Sequence, residues 1–159
     1  MSYLLDTCVI SEFVRPRPSP RVVGWLQAQS EDELYLSVVT LGEVARGVAR
    51  LPDGSRRRRL STWLHHDLHQ RFRQRLLPVS GPVALRWGEI SGRAAAGGVQ
   101  VAMADGIIGA TAIVHGLVVV TQNVHDLAAT GAVLFNPWAD AAASGDPPKP
   151  LRQRPQAGR

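Results

Sequence analysis

YLLDTCVISEF, residues 3–13, reads as a strand running directly into a helix, with an acid at the joint. Tyr3, Leu4 and Leu5 make a short apolar run ending at Asp6–Thr7, the pattern of a strand covered on both faces. A helix is expected from Val9 to Phe13. It must stop before Arg15–Pro16–Arg17–Pro18–Ser19–Pro20, because proline removes a backbone donor and clashes with the preceding turn. A carboxylate at the end of a buried strand costs free energy unless it is paired. Two readings of Asp6 stay open at this point: it caps the following helix, or it belongs to a site.

The same unit recurs outward along the chain. Residues 21–29 place Val22, Trp25 and Leu26 at helical spacing. Residues 34–40 form an apolar, β-branched stretch expected as a strand, followed by a helix over 41–49 and a turn at Leu51–Pro52–Asp53–Gly54. Leu60, Leu64, Leu68, Phe72 and Leu76 recur every four residues and predict one long helix over 56–76, with a possible short strand at 76–79. A helix over 82–96 begins with Pro82 and ends at Gly97–Gly98. Residues 103–114 are small and apolar nearly all round, so this helix is expected against the sheet. A strand over 117–121, a loop or short turn over 122–127 and a short strand over 132–135 complete the body. Strands alternating with helices predict a three-layer α/β/α sandwich around a mainly parallel sheet. It occupies one domain, residues 1–140. Residues 141–159 turn to Ala, Gly, Pro and Arg without periodicity and read as a disordered basic tail.

Four acids fall where this fold collects ligands. In a doubly wound sheet, strand C-termini and the following helix N-termini share one edge. Asp6 ends the first strand, Glu43 lies just past the second, Asp105 opens the 103–114 helix, and Asp126 follows the 117–121 strand. Each has a duller explanation. Thr40–Leu41–Gly42–Glu43 fits a capping box, Asp105 sits at the favourable end of a helix dipole worth about 0.3–1 kcal/mol, and Asn123 with Asp126 suits a turn. Asp105 resists the dull reading best, because nearly every neighbour in VQVAMADGIIGATAIVHG (99–116) is apolar or small. Gathered carboxylates raise one another's pKa unless a cation joins them, and a hard divalent metal with oxygen ligands is the economical one.

Composition closes other routes. Cys8 is the sole cysteine, so an internal disulfide and a cysteine zinc cluster are both excluded. It is expected as a packing residue rather than a nucleophile. His65, His66 and His69 offer an i, i+4 pair, but no Glu follows His65 and the stretch reads as a solvated basic face. There is no G-x-S-x-G elbow and no glycine-rich phosphate loop. No apolar run reaches membrane-spanning length and no secretory signal is readable, so a cytoplasmic protein is expected. The net charge of +5 is mostly in the tail: Lys149, Arg152, Arg154 and Arg159 against Asp146 leave +2 for residues 1–140. Within the body, Arg56–Arg75 concentrates seven arginines around Asp67. Such a run attracts phosphate backbones or simply faces solvent.

Taken in order, LLDTCVISE (4–12), LSVVTLGEVARGV (36–48), ADGIIGATAIVHGL (104–117), VVTQNVHDL (119–127) and VLFNPW (133–138) resemble the PIN-domain nucleases, specifically VapC-type toxins and the FitB-like subgroup. The resemblance implies a Mg²⁺- or Mn²⁺-dependent endoribonuclease that dimerises and is inhibited by an antitoxin encoded alongside. It also implies that larger toxin–antitoxin assemblies form on DNA. Asp6, Glu43 and Asp105 match the family's three core acids, and Asp126 matches the fourth in the N-x-x-D form of the motif. In the FitB-like form the acid falls instead at Asn123. The family commonly carries Asn two residues after the first acid, where this chain has Cys8. A thiol is the poorer hydrogen-bond partner, which implies a looser Asp6.

The expected function is hydrolysis of RNA phosphodiester bonds. Asp6 and Asp105 would hold the main ion, Glu43 would contribute directly or through water, and Asp126 would serve a second ion or position water. The rival is a weakly catalytic or non-catalytic PIN-fold subunit of a DNA-binding regulatory complex.

Overall fold

The computed structural model describes residues 1–139, so the tail expected over 141–159 lies outside the described residues. Five strands form the sheet: β1 (Tyr3–Leu5), β2 (Leu34–Ser37), β3 (Leu76–Leu77), β4 (Val118–Val120) and β5 (Leu134–Phe135). Every pairing is parallel, and the spatial order is β3-β2-β1-β4-β5. The helices are α1 (Thr7–Glu12), α2 (Pro20–Gln27), α3 (Val38–Ala49), α4 (Ser55–Thr62), α5 (His69–Phe72), α6 (Gly81–Ala96), α7 (Met103–His115) and α8 (Val124–Ala128).

The strands are short and apolar because both faces of the sheet are covered. Tyr3, Leu5, Leu34, Leu36, Val118 and Val120 face one core with Val9, Trp25, Leu64, Leu68 and Phe72. Leu4 and Val119 face the opposite core with Ile108, Ala112 and Leu127. A third cluster, Val83, Ile90 and Ala110, packs α6 onto the outer side of α7. The chain builds β1, β2 and β3 outward on one side, then crosses to β4 and β5 on the other. The switch point therefore lies between β1 and β4, whose register pairs Leu5 with Val120. A crevice opens at the carboxyl ends of strands at such a point.

Three elements depart from the sequence-based expectation. The strand expected over 34–40 ends at Ser37, and α3 starts at Val38, three residues earlier than expected. The Ser37 hydroxyl accepts from Val39 N at 3.1 Å and caps the helix. This cap, with Val39 packed against the second core, overrides the strand preference of Val38, Val39 and Thr40.

The four-residue leucine stripe is not one uniform helix either. Trp63–Leu68 between α4 and α5 is π-helical, and the helix ends at Phe72, leaving Leu76 to β3. A four-residue step overshoots a 3.6-residue turn, so an α-helical stripe would drift off the core. The wider i→i+5 turn absorbs that drift, and Leu64, Leu68 and Phe72 are all buried. Finally, residues 124–128, expected as a loop or turn, form α8.

The small residues of α7 set how deeply it sits. A Cβ on Gly109 would stand 2.5 Å from the Cβ of Thr130, which is fully buried. A Cβ on Gly106 would stand 2.9 Å from the Trp87 ring on α6. Gly109→Ala is expected to destabilise the protein by about 1–3 kcal/mol through overpacking, read as a lower urea midpoint at unchanged slope.

Candidate active site

Asp6 does two jobs at once. Its Oδ1 accepts from Thr7 N at 2.7 Å at the start of α1, and its Oδ2 accepts from the Thr121 hydroxyl at 2.7 Å. The capping reading holds for Oδ1, and Oδ2 is held by a residue 115 positions away in the chain. The residue is 8% exposed, so this pairing offsets a real desolvation cost. Thr121 is wholly buried at the end of β4, and the same hydroxyl accepts from Asn123 N at 2.8 Å. One threonine thus joins the two strand ends at the switch point. The sequence reading missed Thr121 as a site residue; its one signal was a polar side chain closing the run LVVVT.

Cys8 also reaches Asp6. Its thiol donates to Oδ2 at 3.5 Å and accepts from Gln122 N at 3.3 Å. Burial, and then the Asp6 charge, push the thiol's pKa up, so it stays protonated and able to donate. Cys8 thus occupies the position of the family's Asn with one long thiol contact to Asp6.

Glu43 is relieved of its structural alternative. With Ser37 as the cap, Thr40 occupies the third helical position and Glu43 lies a turn further in, beyond any capping box. Its carboxylate is partly exposed and stands 3.7 Å from Arg46. One turn before it on the same face, the Thr40 hydroxyl is buried without a hydrogen-bond partner.

Asp105 reports on the whole arrangement. Its pKa is raised, first by burial and then by the charges of Asp6, Asp126 and Glu43 in that order. Three acids from separate parts of the chain thus act on the fourth. Asp105 sits in the first turn of α7, where the dipole favours the ionised form by about 0.3–1 kcal/mol. Burial and the three carboxylates outweigh it. Asp126, fully exposed in the first turn of α8, is lowered by hydrogen bonds from His125 and then Asn123. Between the two candidates for the fourth position, Asp126 supplies the charge felt at Asp105 and Asn123 supports Asp126.

The remaining features serve other ends. Glu12 is buried, with Oε1 taken by Arg15 and Oε2 by Ser19 N, both at 2.6 Å, so it fastens the proline-rich turn. His65, His66 and His69 are exposed, as expected of a solvated face. Arg56 and Arg59 border a pocket of about 520 Å³ with Val14, Pro16, Leu60 and Trp63, which none of the four acids lines.

The donor set suits a hard cation. Three carboxylates act on Asp105, with no ammonium or guanidinium among the causes there. Among the described residues, no three His, Cys, Asp or Glu side chains form a ready-made metal cage. Mg²⁺ does not require one, since it keeps several waters and takes only one or two carboxylates.

Comparison with known proteins agrees with this geometry. The family model described as "PIN domain" matches residues 3–131. The protein named Toxin FitB from Neisseria gonorrhoeae is 41% identical over 137 residues, spanning 86% of this chain and 99% of its own. VapC ribonuclease Y4jK from Sinorhizobium fredii is 34% identical over 138 residues, spanning 87% and 99%. Among solved structures, FitAB bound to an IR36 DNA fragment superposes with a TM-score of 0.81 at 37% identity, covering 89% of this chain and 99% of the matched one. The chain belongs to the PIN-domain family.

Proposed function

We propose that this protein is a metal-dependent endoribonuclease and the toxin of a toxin–antitoxin pair. The observation that carries the reading is that the charges of Asp6, Asp126 and Glu43 all reach Asp105, with Asp6 standing at the switch point of the sheet. Asp6 and Asp105 would hold a Mg²⁺ or Mn²⁺ ion, with Glu43 bound directly or through water and Asp126 serving a second ion or a water. When bound, the ion lowers the pKa of water and offsets charge on the scissile phosphate. Thr121 and Cys8 both donate to Oδ2 of Asp6 and hold its carboxylate. Asp126 stays ionised under its hydrogen bonds from His125 and Asn123. Burial and the charges of Asp6, Asp126 and Glu43 raise the pKa of Asp105, and a bound cation would relieve that repulsion.

Kinship to proteins named Toxin FitB and VapC ribonuclease supports the activity and the pairing with an antitoxin. A carboxylate-lined crevice invites an arginine as the blocking group, since guanidinium pairs bidentately with carboxylates. Inhibition and metal occupancy would then compete for the same acids. Assembly with the antitoxin on DNA follows the solved FitAB–DNA complex, and a homodimer is what the family resemblance implies. The same complex favours the second reading, a regulatory subunit with little catalysis. The nuclease domain is taken as residues 1–140, and the basic tail, which holds none of the four acids, as dispensable for cleavage.

The decisive test is cleavage of RNA by the purified chain with Mg²⁺ or Mn²⁺, compared with Asp6→Asn and with chelator. Wild type is expected to cut and to arrest growth when expressed without its partner, with both effects lost in Asp6→Asn. Wild type and variant equally harmless and equally inert would favour the regulatory reading.

A further inference from the structure

Cys8 stands where the two strand-end loops cross. Asp6 belongs to the β1–α1 joint and Gln122 to the β4–α8 joint, 114 residues from the cysteine, and the thiol touches both. It is the same pair of joints that Thr121 bridges through its hydroxyl, which lies 3.7 Å from the Cys8 sulfur. An ionised carboxylate offers about four acceptor directions. In Asp6, three are filled: Thr7 N on Oδ1, and Thr121 and Cys8 on Oδ2. Thr7 N and the Thr121 hydroxyl fix one oxygen each, while the thiol is the second donor on Oδ2. Without it, two hydrogen bonds rather than three hold the carboxylate.

We propose that Cys8 is a positioning residue for the metal-binding carboxylate: its thiol clamps Asp6 Oδ2 and anchors the clamp on the backbone of the opposite loop. The proposal rests on the reading of Asp6 as a metal ligand. Outer partners of metal ligands commonly govern about 10–100-fold in affinity. The competing account is packing, since Cys8 also lies against the core beside Val9 and Ile10.

Three variants separate the two. Cys8→Ser keeps a donor and an acceptor, Cys8→Ala removes both and leaves space, and Cys8→Val fills the space without donating. The readout is Mn²⁺ affinity of the purified full chain by calorimetry, with melting temperature measured alongside. Cys8→Ala and Cys8→Val are each expected to bind Mn²⁺ about tenfold or more weakly, and Cys8→Ser to retain most of the affinity, whatever the order of melting temperatures. Cys8→Val binding like wild type, Cys8→Ser falling as far as Cys8→Ala, or affinities that simply follow melting temperature would each overturn the proposal while leaving the metal site standing. Wild type that binds no Mn²⁺ would overturn both.

Discussion

Asp105→Asn is expected to abolish metal-dependent RNA cleavage, by about 10²–10³-fold or more, while making the metal-free protein more stable. The two effects have one cause. Asp105 is half-buried and takes the repulsion of Asp6, Asp126 and Glu43, so its ionised form is disfavoured in the folded chain. Asparagine keeps the shape and removes the charge. Adding Mn²⁺ should raise the melting temperature of wild type, because a ligand bound only to the native state stabilises it, and should raise that of the variant much less. An equal rise in both would sink the shared site.

The pH dependence of the metal-free protein follows with a definite sign. The Asp105 pKa is raised from the ordinary value of 3.8. Between those two values the native chain binds more protons than the unfolded chain, so stability falls as pH rises. Going the other way, wild type should gain on Asp105→Asn as pH drops from neutral through the raised value toward 3.8. Asp126 has the opposite sign, its contribution being lost as pH falls through its lowered value. It is exposed and screened, and it is present in both proteins, so it contributes little to the difference curve. A difference curve that is flat, or that slopes the other way, would show that Asp105 is not under pressure from its neighbours.

Glu43→Gln should be the cleaner loss of function. Ser37 rather than Thr40 caps α3, and Glu43 makes no capping contact. The substitution therefore removes a charge and the weak approach of Arg46 at 3.7 Å, which at the surface contributes little. Unfolding by urea is expected to coincide with wild type within about 0.5 kcal/mol, while cleavage falls by about 10²-fold or more. Retained cleavage with a stability loss of about 1 kcal/mol, the scale of a lost cap, would return Glu43 to a structural role.

The parallel α/β architecture was legible because its strands are bare apolar runs and its helices carry clear stops. Pro82 and Gly97 mark ends that the structure respects, while Gly116, in the left-handed conformation at φ 65°, closes α7 one residue after His115. What local pattern could not give was the point where β2 yields to α3. Val38, Val39 and Thr40 favour a strand by themselves, and only the Ser37 cap and packing onto the second core reverse them. The error had a functional cost, since it created a false capping box around Glu43. The acids were legible as positions after strands. Their supports were not, because Thr121 and Cys8 reach Asp6 across 115 and 2 residues respectively, and the longer of these links appears only when the sheet closes.

That closure has a consequence for how the chain is made. β1 gains its second neighbour only when β4 arrives, and the Thr121 hydroxyl that holds Asp6 is among the last parts of the domain to be translated. Synthesis runs from the N-terminus at about 5–20 residues per second, so the first acid waits several seconds for its support. Asp126 emerges later still. A ribosome-bound fragment short of β4 carries Asp6, Glu43 and Asp105 without the scaffold that aims them. The four acids therefore share one scaffold only after β4 and the start of α8 have been made.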